Sequence, residues 1–520
     1  MRLLIILFSL MGLSFAANIL VMLPMPMYSH TTNFMTVFKE LAKRGHNVTC
    51  VSPFPQKTAL KNWNDITVKN TLADLMAQIG PLNLLDMDSM LFILIFFWKM
   101  CERLAEIALE QEPVQRIIQD TTSSYDLIIT ETFFAHEPFL ALGHKYNAPV
   151  INVNSFGLTP TIAFFTGNHY PTSYVPNYSF PSSDKMSFYE RMTNSFLYMW
   201  YTYVYELYYL NQVDFLIKKY FNYPGSENIP PVAELARNTS LTLLETHIGL
   251  HYPQPLQKNM VEVGGINLHD GDKLPDDLQQ FMDNAPEGVI YFSFGSHFNT
   301  SLLSESVQNS IISAFSKVKQ KVIMKWDKNI GKNENIYTGK WFPQASILGH
   351  SKCKIFITHG GVHGVTEGLF HGVPLIGMPI FADQKFNIKF VEEHGAGINL
   401  ELNKVTEDQL LQAINTILTD KRYKENAQLR KSILRENPVS QLENAIYWIE
   451  YVIKFKGARH LRPTLLDLSW FQGFLIDITL AFIGLTLVFF FILFIMIKYT
   501  VKLLKCMFRS KNDNKKSKKE

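Results

Sequence analysis

A glycine-rich segment in the second half of the chain carries the strongest chemical signal in the sequence. The apolar residues of Phe356-Ile-Thr predict the end of a strand, and His359-Gly360-Gly361 then leads into a predicted helix that contains Glu367. Backbone N–H groups at a helix start attract anions, and glycines let a phosphate approach closely. Glu367 lies two helical turns on, where it could accept hydrogen bonds from ribose hydroxyls. The segment therefore predicts a nucleotide site, and it lacks the G-x-G-x-x-G pattern of nicotinamide-dependent dehydrogenases.

The same segment offers a metal-binding alternative. His359, His363, Glu367 and His371 recur every four residues along one helical face, and such spacing can build a zinc site. The sequence has no H-E-x-x-H pattern, however, and no pair of cysteines nearby. Paired glycines at a helix start fit a phosphate better than a metal, so we expect no metal here.

The longer stretch from Phe356 to Gln384 resembles the signature of the UDP-glycosyltransferase superfamily. The likeness is strongest to its animal membrane-bound branch, the UDP-glucuronosyltransferases and insect UDP-glucosyltransferases. Supporting motifs, which extend the resemblance over essentially the whole chain, are Ser29-His30, Tyr291-Phe-Ser-Phe-Gly-Ser296, Trp341-Phe-Pro-Gln344 and Lys456-Gly-Ala-Arg-His-Leu-Arg-Pro463. The resemblance implies an α/β fold of GT-B type, with two Rossmann-like, doubly wound domains facing a cleft, and chemistry without a metal.

The resemblance also implies which residues meet the UDP-sugar. Trp341 would stack on uracil, Gln344 would hydrogen-bond the nucleoside, and Glu367 would take the ribose. Asp383 and Gln384 would contact the sugar hydroxyls. The residues that would hold the diphosphate are Ser296, His359, Gly361, His363 and Gly364. His363 departs from the pattern, because relatives often carry a small or amide residue at this position.

A histidine near the N-terminus is the candidate general base. His30 follows the first predicted strand in a loop, at the carboxyl end where open α/β sheets bind ligands. Tyr28-Ser29-His30 resembles the segment around the family's catalytic histidine. The orienting aspartate of many relatives corresponds here to Glu131, whose side chain is one methylene longer. We expect a His30–Glu131 pair with altered geometry.

These residues predict inverting transfer of a hexosyl group from a UDP-sugar to a hydroxyl of a small lipophilic acceptor. UDP-glucose is the preferred donor and UDP-glucuronate the second choice, because the sequence shows no dedicated cation for a glucuronate carboxylate. The co-substrate is the UDP-sugar, and no cofactor is expected. The alternative is a catalytically inactive relative, a binding or chaperone-like protein of the endoplasmic-reticulum membrane.

Alternating strands and helices must position these groups. Ile19 to Leu23, a helix from Asn33 to Arg44, and Val48 to Val51 form one βαβ unit. Continuous apolar strands of this kind are typical of parallel sheets covered on both faces. The predicted divisions are a signal peptide (1–17), an acceptor-binding domain (18–268), a linker (269–287), a UDP-sugar-binding domain (288–455), a membrane-proximal segment (456–474), a transmembrane helix (475–497) and a basic tail (498–520).

An aromatic segment from Ser195 to Leu210 has two interpretations. Its eight Phe, Tyr and Trp residues could wall an apolar acceptor pocket or rest at a membrane interface. A helix packed in the core explains them equally well.

The two ends of the chain predict its compartment. Arg2, the apolar run from Leu3 to Leu13 and the following small residues are typical of a secretory signal peptide. Ile478 to Ile497 is uncharged and long enough to span a bilayer. The basic residues after it predict a cytosolic tail and a single-pass type I protein with lumenal domains. Lys516 and Lys518 resemble a dilysine retrieval signal of the endoplasmic reticulum.

Composition and sequons agree with that topology. Of the 520 residues, 47% are hydrophobic and the formal charge is +3, which excludes a disordered chain. Nine of the Lys and Arg residues lie in the last 23 positions, so a nucleic-acid-binding face is not expected. The sequence does not determine whether the protein forms homo- or hetero-oligomers. The candidate glycosylation sites, all on the predicted lumenal side, are Asn47, Asn177, Asn238 and Asn299.

Overall fold

The protein is described from a computed structural model that covers residues 16–71, 96–132, 134–295, 298–328, 330–331 and 333–516. The predicted signal peptide therefore lies almost wholly outside the described residues. Ala17, which was predicted to end it, is buried, and its backbone pairs with His46 and Asn47 beside the first strand.

Two parallel sheets form the body of the molecule. The first sheet has the order β3-β2-β1-β4-β5-β6-β7 and the second has the order β10-β9-β8-β11-β12-β13. Every pair of neighbouring strands in both sheets is parallel. The strands are β1 (Asn18–Met22), β2 (Asn47–Ser52), β3 (Trp63–Thr67), β4 (Leu127–Thr130), β5 (Val150–Asn154), β6 (Leu241–Leu244), β7 (Met260–Glu262), β8 (Val289–Ser293), β9 (Lys321–Lys325), β10 (Ile336–Gly339), β11 (Cys353–Thr358), β12 (Leu375–Gly377) and β13 (Gly397–Asn399).

The described residues contain nineteen α-helices, most of them between strands. They are α1 (Tyr28–Asn33), α2 (Met35–Lys43), α3 (Phe97–Leu109), α4 (Glu112–Gln119), α5 (Ala141–Tyr146), α6 (Pro160–Thr166), α7 (Phe188–Met199), α8 (Leu210–Tyr220), α9 (Val232–Arg237), α10 (Asp276–Asp283), α11 (Glu305–Lys317), α12 (Gln344–Gly349), α13 (Val362–Phe370), α14 (Gln384–Glu393), α15 (Glu407–Thr419), α16 (Lys421–Arg435), α17 (Gln441–Lys454), α18 (Trp470–Gly473) and α19 (Ile476–Lys516). A π-helix, Trp200–Tyr209, joins α7 to α8, and a short 3₁₀ helix, Glu137–Leu140, precedes α5.

Strand β1 shows why the sheets are covered on both faces. Its side chains alternate between the faces, and all of its apolar residues are buried. Leu20 and Met22 pack into the core on one face of the sheet, whereas Ile19 and Val21 pack into the core on the other. The predicted pair of doubly wound, Rossmann-like sheets is confirmed.

Strand order places a ligand site on each sheet. The chain moves outward from β1 through β2 to β3 and then continues with β4 on the other side of β1. In the second sheet it moves from β8 through β9 to β10 and resumes with β11 beside β8. Loops that leave the carboxyl ends of the two central strands then diverge and open a crevice, where α/β proteins bind ligands.

Two helices near the predicted domain boundaries pack in a way that the sequence analysis did not predict. The predicted linker contains α10, whose Leu278 and Met282 are buried in the core of the second sheet. Helix α17, near the end of the predicted UDP-sugar domain, buries Ile446 and Ile449 in a core of the first sheet. The chain thus returns to the first domain before residue 455.

The aromatic segment serves the core on one side and faces solvent on the other. Tyr201, Tyr205 and Tyr209 are buried, and their four-residue spacing aligns them along the inner side of the π-helix. Phe196 and Tyr203 are exposed. Core packing therefore accounts for the inner residues of the segment.

Residues Thr464–Glu520 form a separate unit. It contains α19, whose stretch Ile476–Arg509 is long and apolar enough to cross a membrane. The helix continues beyond the predicted end of the span, Ile497, so the basic residues Lys498, Lys502 and Lys505 lie on the same helix.

Candidate active site

His30 and Glu131 form a buried hydrogen-bonded pair at the crevice of the first sheet. Met22 ends β1 opposite Thr130 in β4, so the residues that follow these strands are neighbours. His30 Nδ1 lies 2.8 Å from Glu131 Oε2 and 3.0 Å from Oε1. The backbone N–H of Ser155, after β5, donates to Glu131 Oε1 at 3.2 Å. The extra methylene of glutamate therefore still allows the predicted contact.

The surroundings of His30 differ from the sequence prediction. His30 was predicted in a loop, but it lies in helix α1 and is 6% exposed. Aromatic rings of Phe156 and Phe134 pack against the imidazole with centroid distances of 4.8 and 5.5 Å. The imidazole is thus held in an apolar environment with one carboxylate on Nδ1.

In the second sheet, glycines make room for His359 at the end of β11. A β-carbon on Gly361 would lie 2.7 Å from His359 Nε2, and one on Gly295 would lie 2.8 Å from the same ring. Gly295 also has a φ of +75°, which favours glycine. Helix α13 begins directly after Gly361 and is nine residues long. The backbone N–H groups of its first turn point out of the helix and give this end of the crevice a partial positive charge, and the Val362 N–H among them donates to Asp383.

Of two further residues predicted to hold the diphosphate, the structure describes one. A β-carbon on Gly364 would lie 3.3 Å from Thr358 Oγ1, so a larger residue would crowd the start of α13. Ser296 lies outside the described residues.

The predicted nucleoside residues cluster on the same side of the second sheet. Trp341 is 65% exposed, with Lys325 Nζ 5.3 Å from its ring centroid. Tyr28, from the first domain, approaches the same ring edge-on at 6.4 Å. Gln344 Nε2 donates to the carboxylate of Glu367. Burial raises the pKa of Glu367, and the Gln344 donor partly offsets that effect.

Asp383 and Gln384 lie at the start of α14. Burial raises the pKa of Asp383 to about 6, against the opposing effect of Asn387, whose Nδ2 donates to Asp383 Oδ2 at 2.6 Å. Gln384 Oε1 accepts hydrogen bonds from the backbone N–H groups of Ile380 and Phe381 at 2.7 and 3.1 Å. The Gln384 oxygen therefore holds the preceding turn, where Ala382 has a φ of +57°.

Charges link the two halves of the crevice. Burial, and secondarily the charge that His30 can carry, lower the pKa of His363 to about 4. The His30 charge also acts on Asp383, where it opposes the effect of burial. His363 Nε2 has no hydrogen-bond partner among the described residues. The structure thus brings His30 of the first domain to the same crevice as His363 and Asp383 of the second, with a neutral imidazole at His363.

Sequence analysis did not identify a second buried carboxylate near this pair. Glu137 is completely buried and accepts hydrogen bonds from Tyr205 and Tyr209. The four-residue spacing of the tyrosines and an acidic residue just before an apolar helix were the available signals, but nothing in the sequence connects them.

The predicted glycosylation sites divide by exposure. Asn47, Asn238 and Asn299 are exposed. Asn177 is fully buried and its Oδ1 accepts hydrogen bonds from Ser179, so its side chain is not accessible in the folded protein. All four sites remain predictions.

Comparisons with known proteins concern the family and the fold of the chain. The model of the family "UDP-glucoronosyl and UDP-glucosyl transferase" matches residues 18–516. UDP-glycosyltransferase UGT4 of Dactylopius coccus is 32% identical over 94% of this chain and 96% of its own length. UDP-glucuronosyltransferase 2B7 of Homo sapiens is 30% identical, over 87% of each chain.

Solved structures share the fold at low sequence identity. The calicheamicin glycosyltransferase CalG4 is 16% identical, with a TM-score of 0.56 over 85% of this chain and 99% of its own. The glycosyltransferase of kitacinnamycin is 18% identical, also with a TM-score of 0.56, over 84% of this chain and 99% of its own. Together with the two parallel sheets, these neighbours confirm the predicted GT-B fold.

Proposed function

This chain belongs to the family of UDP-glucoronosyl and UDP-glucosyl transferases, and we propose that it transfers a hexosyl group, preferably glucose, from a UDP-sugar to a hydroxyl of a small lipophilic acceptor with inversion. The observation that supports this most directly is the contact of His30 Nδ1 with the Glu131 carboxylate at 2.8 and 3.0 Å. A buried carboxylate on one imidazole nitrogen directs the other nitrogen to act as a base.

His30 takes the proton of the acceptor hydroxyl on Nε2. The carboxylate of Glu131 accepts the Nδ1–H, so the neutral tautomer has a lone pair at Nε2. As the acceptor oxygen bonds to C1 of the sugar, the bond from C1 to the β-phosphate oxygen breaks and UDP departs. Glu131 stabilises the imidazolium that forms, and a single displacement inverts the anomeric centre.

The second domain stabilises the departing UDP. Negative charge grows on the β-phosphate, and the amino-terminal end of α13 and His359, which lie together at the end of β11, would stabilise it. His363, neutral because of its low pKa, can donate or accept a hydrogen bond there without adding charge. We expect no metal to be required.

The donor preference follows from charge. Of the two residues matched to the sugar, Asp383 and Gln384, neither is a cation. Asp383 has a pKa of about 6, so it is mostly ionised at neutral pH and would repel the carboxylate of glucuronate. Glucose carries no such charge.

The aromatic rings around His30 support a lipophilic acceptor. Phe134 and Phe156 contact the imidazole, and Phe97 packs against Phe134 with ring centroids 6.0 Å apart. An apolar acceptor that rests on these rings would place its hydroxyl beside Nε2.

The proposed location is the membrane of the endoplasmic reticulum, with the two sheets in the lumen. Helix α19 supplies the span, its basic continuation favours a cytosolic end, and exposed Asn238 and Asn299 could carry glycans.

A donor and acceptor screen tests the proposal. Purified full-length protein in detergent is incubated with UDP-glucose or UDP-glucuronate and a panel of phenols and other lipophilic alcohols, and products are identified by mass spectrometry. We expect glucosides that are absent with the His30→Ala variant. No transfer from any UDP-sugar, by a protein that binds UDP, would contradict the proposal and favour the inactive relative.

A further inference from the structure

Glu137 is a fully buried carboxylate that the proposed chemistry does not use. It begins the 3₁₀ helix Glu137–Leu140. Tyr205 donates its hydroxyl hydrogen bond to Oε1 at 2.9 Å, and Tyr209 donates to Oε2 at 2.8 Å. Because a buried carboxylate is costly unless it is hydrogen-bonded, these two donors fix where Glu137 can lie.

The two tyrosines come from an unusual element. They lie four residues apart in the π-helix Trp200–Tyr209, and Trp98 packs against both rings with centroid distances of 5.1 Å. π-Helical turns are rare in proteins, and those that occur often lie at functional sites. The aromatic segment is thereby anchored on Glu137.

A strained turn directly before Glu137 relates this anchor to the proposed catalytic pair. Phe134 and Ala135 have φ values of +65° and +75°, a conformation that residues other than glycine adopt only when their surroundings hold them. His136 Nδ1 lies 4.0 Å from Glu131 Oε2. The ring of Phe134 contacts His30. The strained turn thus supplies part of the wall around the imidazole and places His136 near Glu131.

We propose that Glu137 is a positioning residue for the His30–Glu131 pair, because its bonds to Tyr205 and Tyr209 hold the strained turn before it in the conformation that places Phe134 against His30 and His136 near Glu131. This inference rests on the proposed function of His30 and Glu131. It also assigns the π-helix a role, as the rigid support of the acceptor side of the crevice.

The charge state of Glu137 depends on the same two tyrosines. The titratable groups that act on Glu137 or respond to it include Glu131, Tyr205, Tyr209 and Cys101. Burial raises the pKa of Glu137 to about 7; the two tyrosine hydroxyls lower it, and the charge of Glu131 raises it further. Removal of either hydroxyl should therefore favour the neutral carboxyl and weaken the anchor.

The test compares Glu137→Gln and Tyr205→Phe with a matched control, Tyr170→Phe. Tyr170 is another buried tyrosine of the first domain, whose hydroxyl donates to the Pro176 carbonyl at 3.0 Å and does not touch the 131–137 segment. Glu137→Gln should lower kcat by about 10- to 100-fold, as a displaced catalytic group does, with an unchanged KM for the UDP-sugar. Tyr170→Phe should leave kcat nearly unchanged.

The split between kcat and donor binding separates positioning from a general loss of stability. Displacement of the catalytic pair should lower kcat in Glu137→Gln and leave the affinity for UDP unchanged. Tyr205→Phe, which keeps the carboxylate and its bond to Tyr209, should lower kcat less than Glu137→Gln does. The proposal is overturned if Glu137→Gln keeps full turnover, or if its turnover falls together with its affinity for UDP.

A spectroscopic measurement without turnover distinguishes this proposal from the proposed function. The ring of His30 is followed by NMR of histidine-labelled full-length protein at one pH, with His30→Ala to assign the signal. A changed chemical shift in Glu137→Gln, with none in Tyr170→Phe, supports the proposal even if no sugar is transferred, in which case only the proposed function fails. An unmoved signal in Glu137→Gln rejects the role of Glu137.

Discussion

Glu131→Gln removes the negative charge beside His30 and keeps the size of the side chain. Two unit charges about 4 Å apart attract by about 4 kcal/mol at an effective dielectric constant of about 20. His30 Nδ1 lies 2.8 and 3.0 Å from the carboxylate oxygens, so the delocalised charges are separated by about this distance. A glutamine retains a neutral hydrogen bond worth about 1 kcal/mol, which leaves a loss of about 3 kcal/mol. We expect kcat to fall about 10²-fold.

Initial rates with UDP-glucose between about pH 6 and 8, the range in which histidine titrates, measure this effect. UDP affinity by calorimetry is the control, and it should not change because the UDP residues belong to the other domain. Glu131→Asp retains the charge and should be less harmful. If Glu131→Gln turned over within a factor of about 3 of the unmodified protein, the lost stabilisation would be under about 0.7 kcal/mol and the pairing would have no catalytic role.

Three further predictions concern the donor site, pH and metals. Trp341→Ala should raise the KM for UDP-sugar about 5- to 100-fold, the equivalent of one lost base–aromatic stack. The melting temperature should not change, because the ring is 65% exposed. An unchanged KM would exclude stacking. The raised pKa of Glu137, about 7 against an ordinary 4.5, makes stability depend on pH. The contribution of this group to the free energy of unfolding is fully present below pH 4.5, and up to about 3 kcal/mol of it is lost as the pH rises through 7. Glu137→Gln should accordingly reduce the fall in melting temperature between about pH 5 and 8, and an identical fall in both proteins would argue against the shift. Excess EDTA should leave the transfer rate unchanged, and a loss restored by a divalent cation would show that a metal takes part.

Features set by local pattern could be predicted from the sequence. Continuous apolar strands and helical spacing identified β1, β2 and α2, and the parallel topology followed from their alternation. The match of His30 and Glu131 to separate motifs predicted a contact across 101 residues, which the structure contains.

Features set by long-range packing could not be predicted from the sequence. The burial of His30 and of Asn177 depends on elements far along the chain, such as Asn194, whose Oδ1 accepts from the backbone N–H of Asn177. The oxygen of Gln384 turns toward two backbone N–H groups that no motif describes. Glu137 meets tyrosines 68 and 72 residues away, and only the folded π-helix brings them to one carboxylate.

The turnover of His30→Ala tests the central claim most directly. Single-turnover rates of glucoside formation are measured for the variant and the unmodified protein at saturating UDP-glucose, and UDP binding is measured in parallel. Loss of a general base should lower the rate by about 10²–10⁴-fold while UDP affinity stays the same. A folded variant that binds UDP and transfers glucose at nearly the original rate would contradict the assignment of His30 as the base.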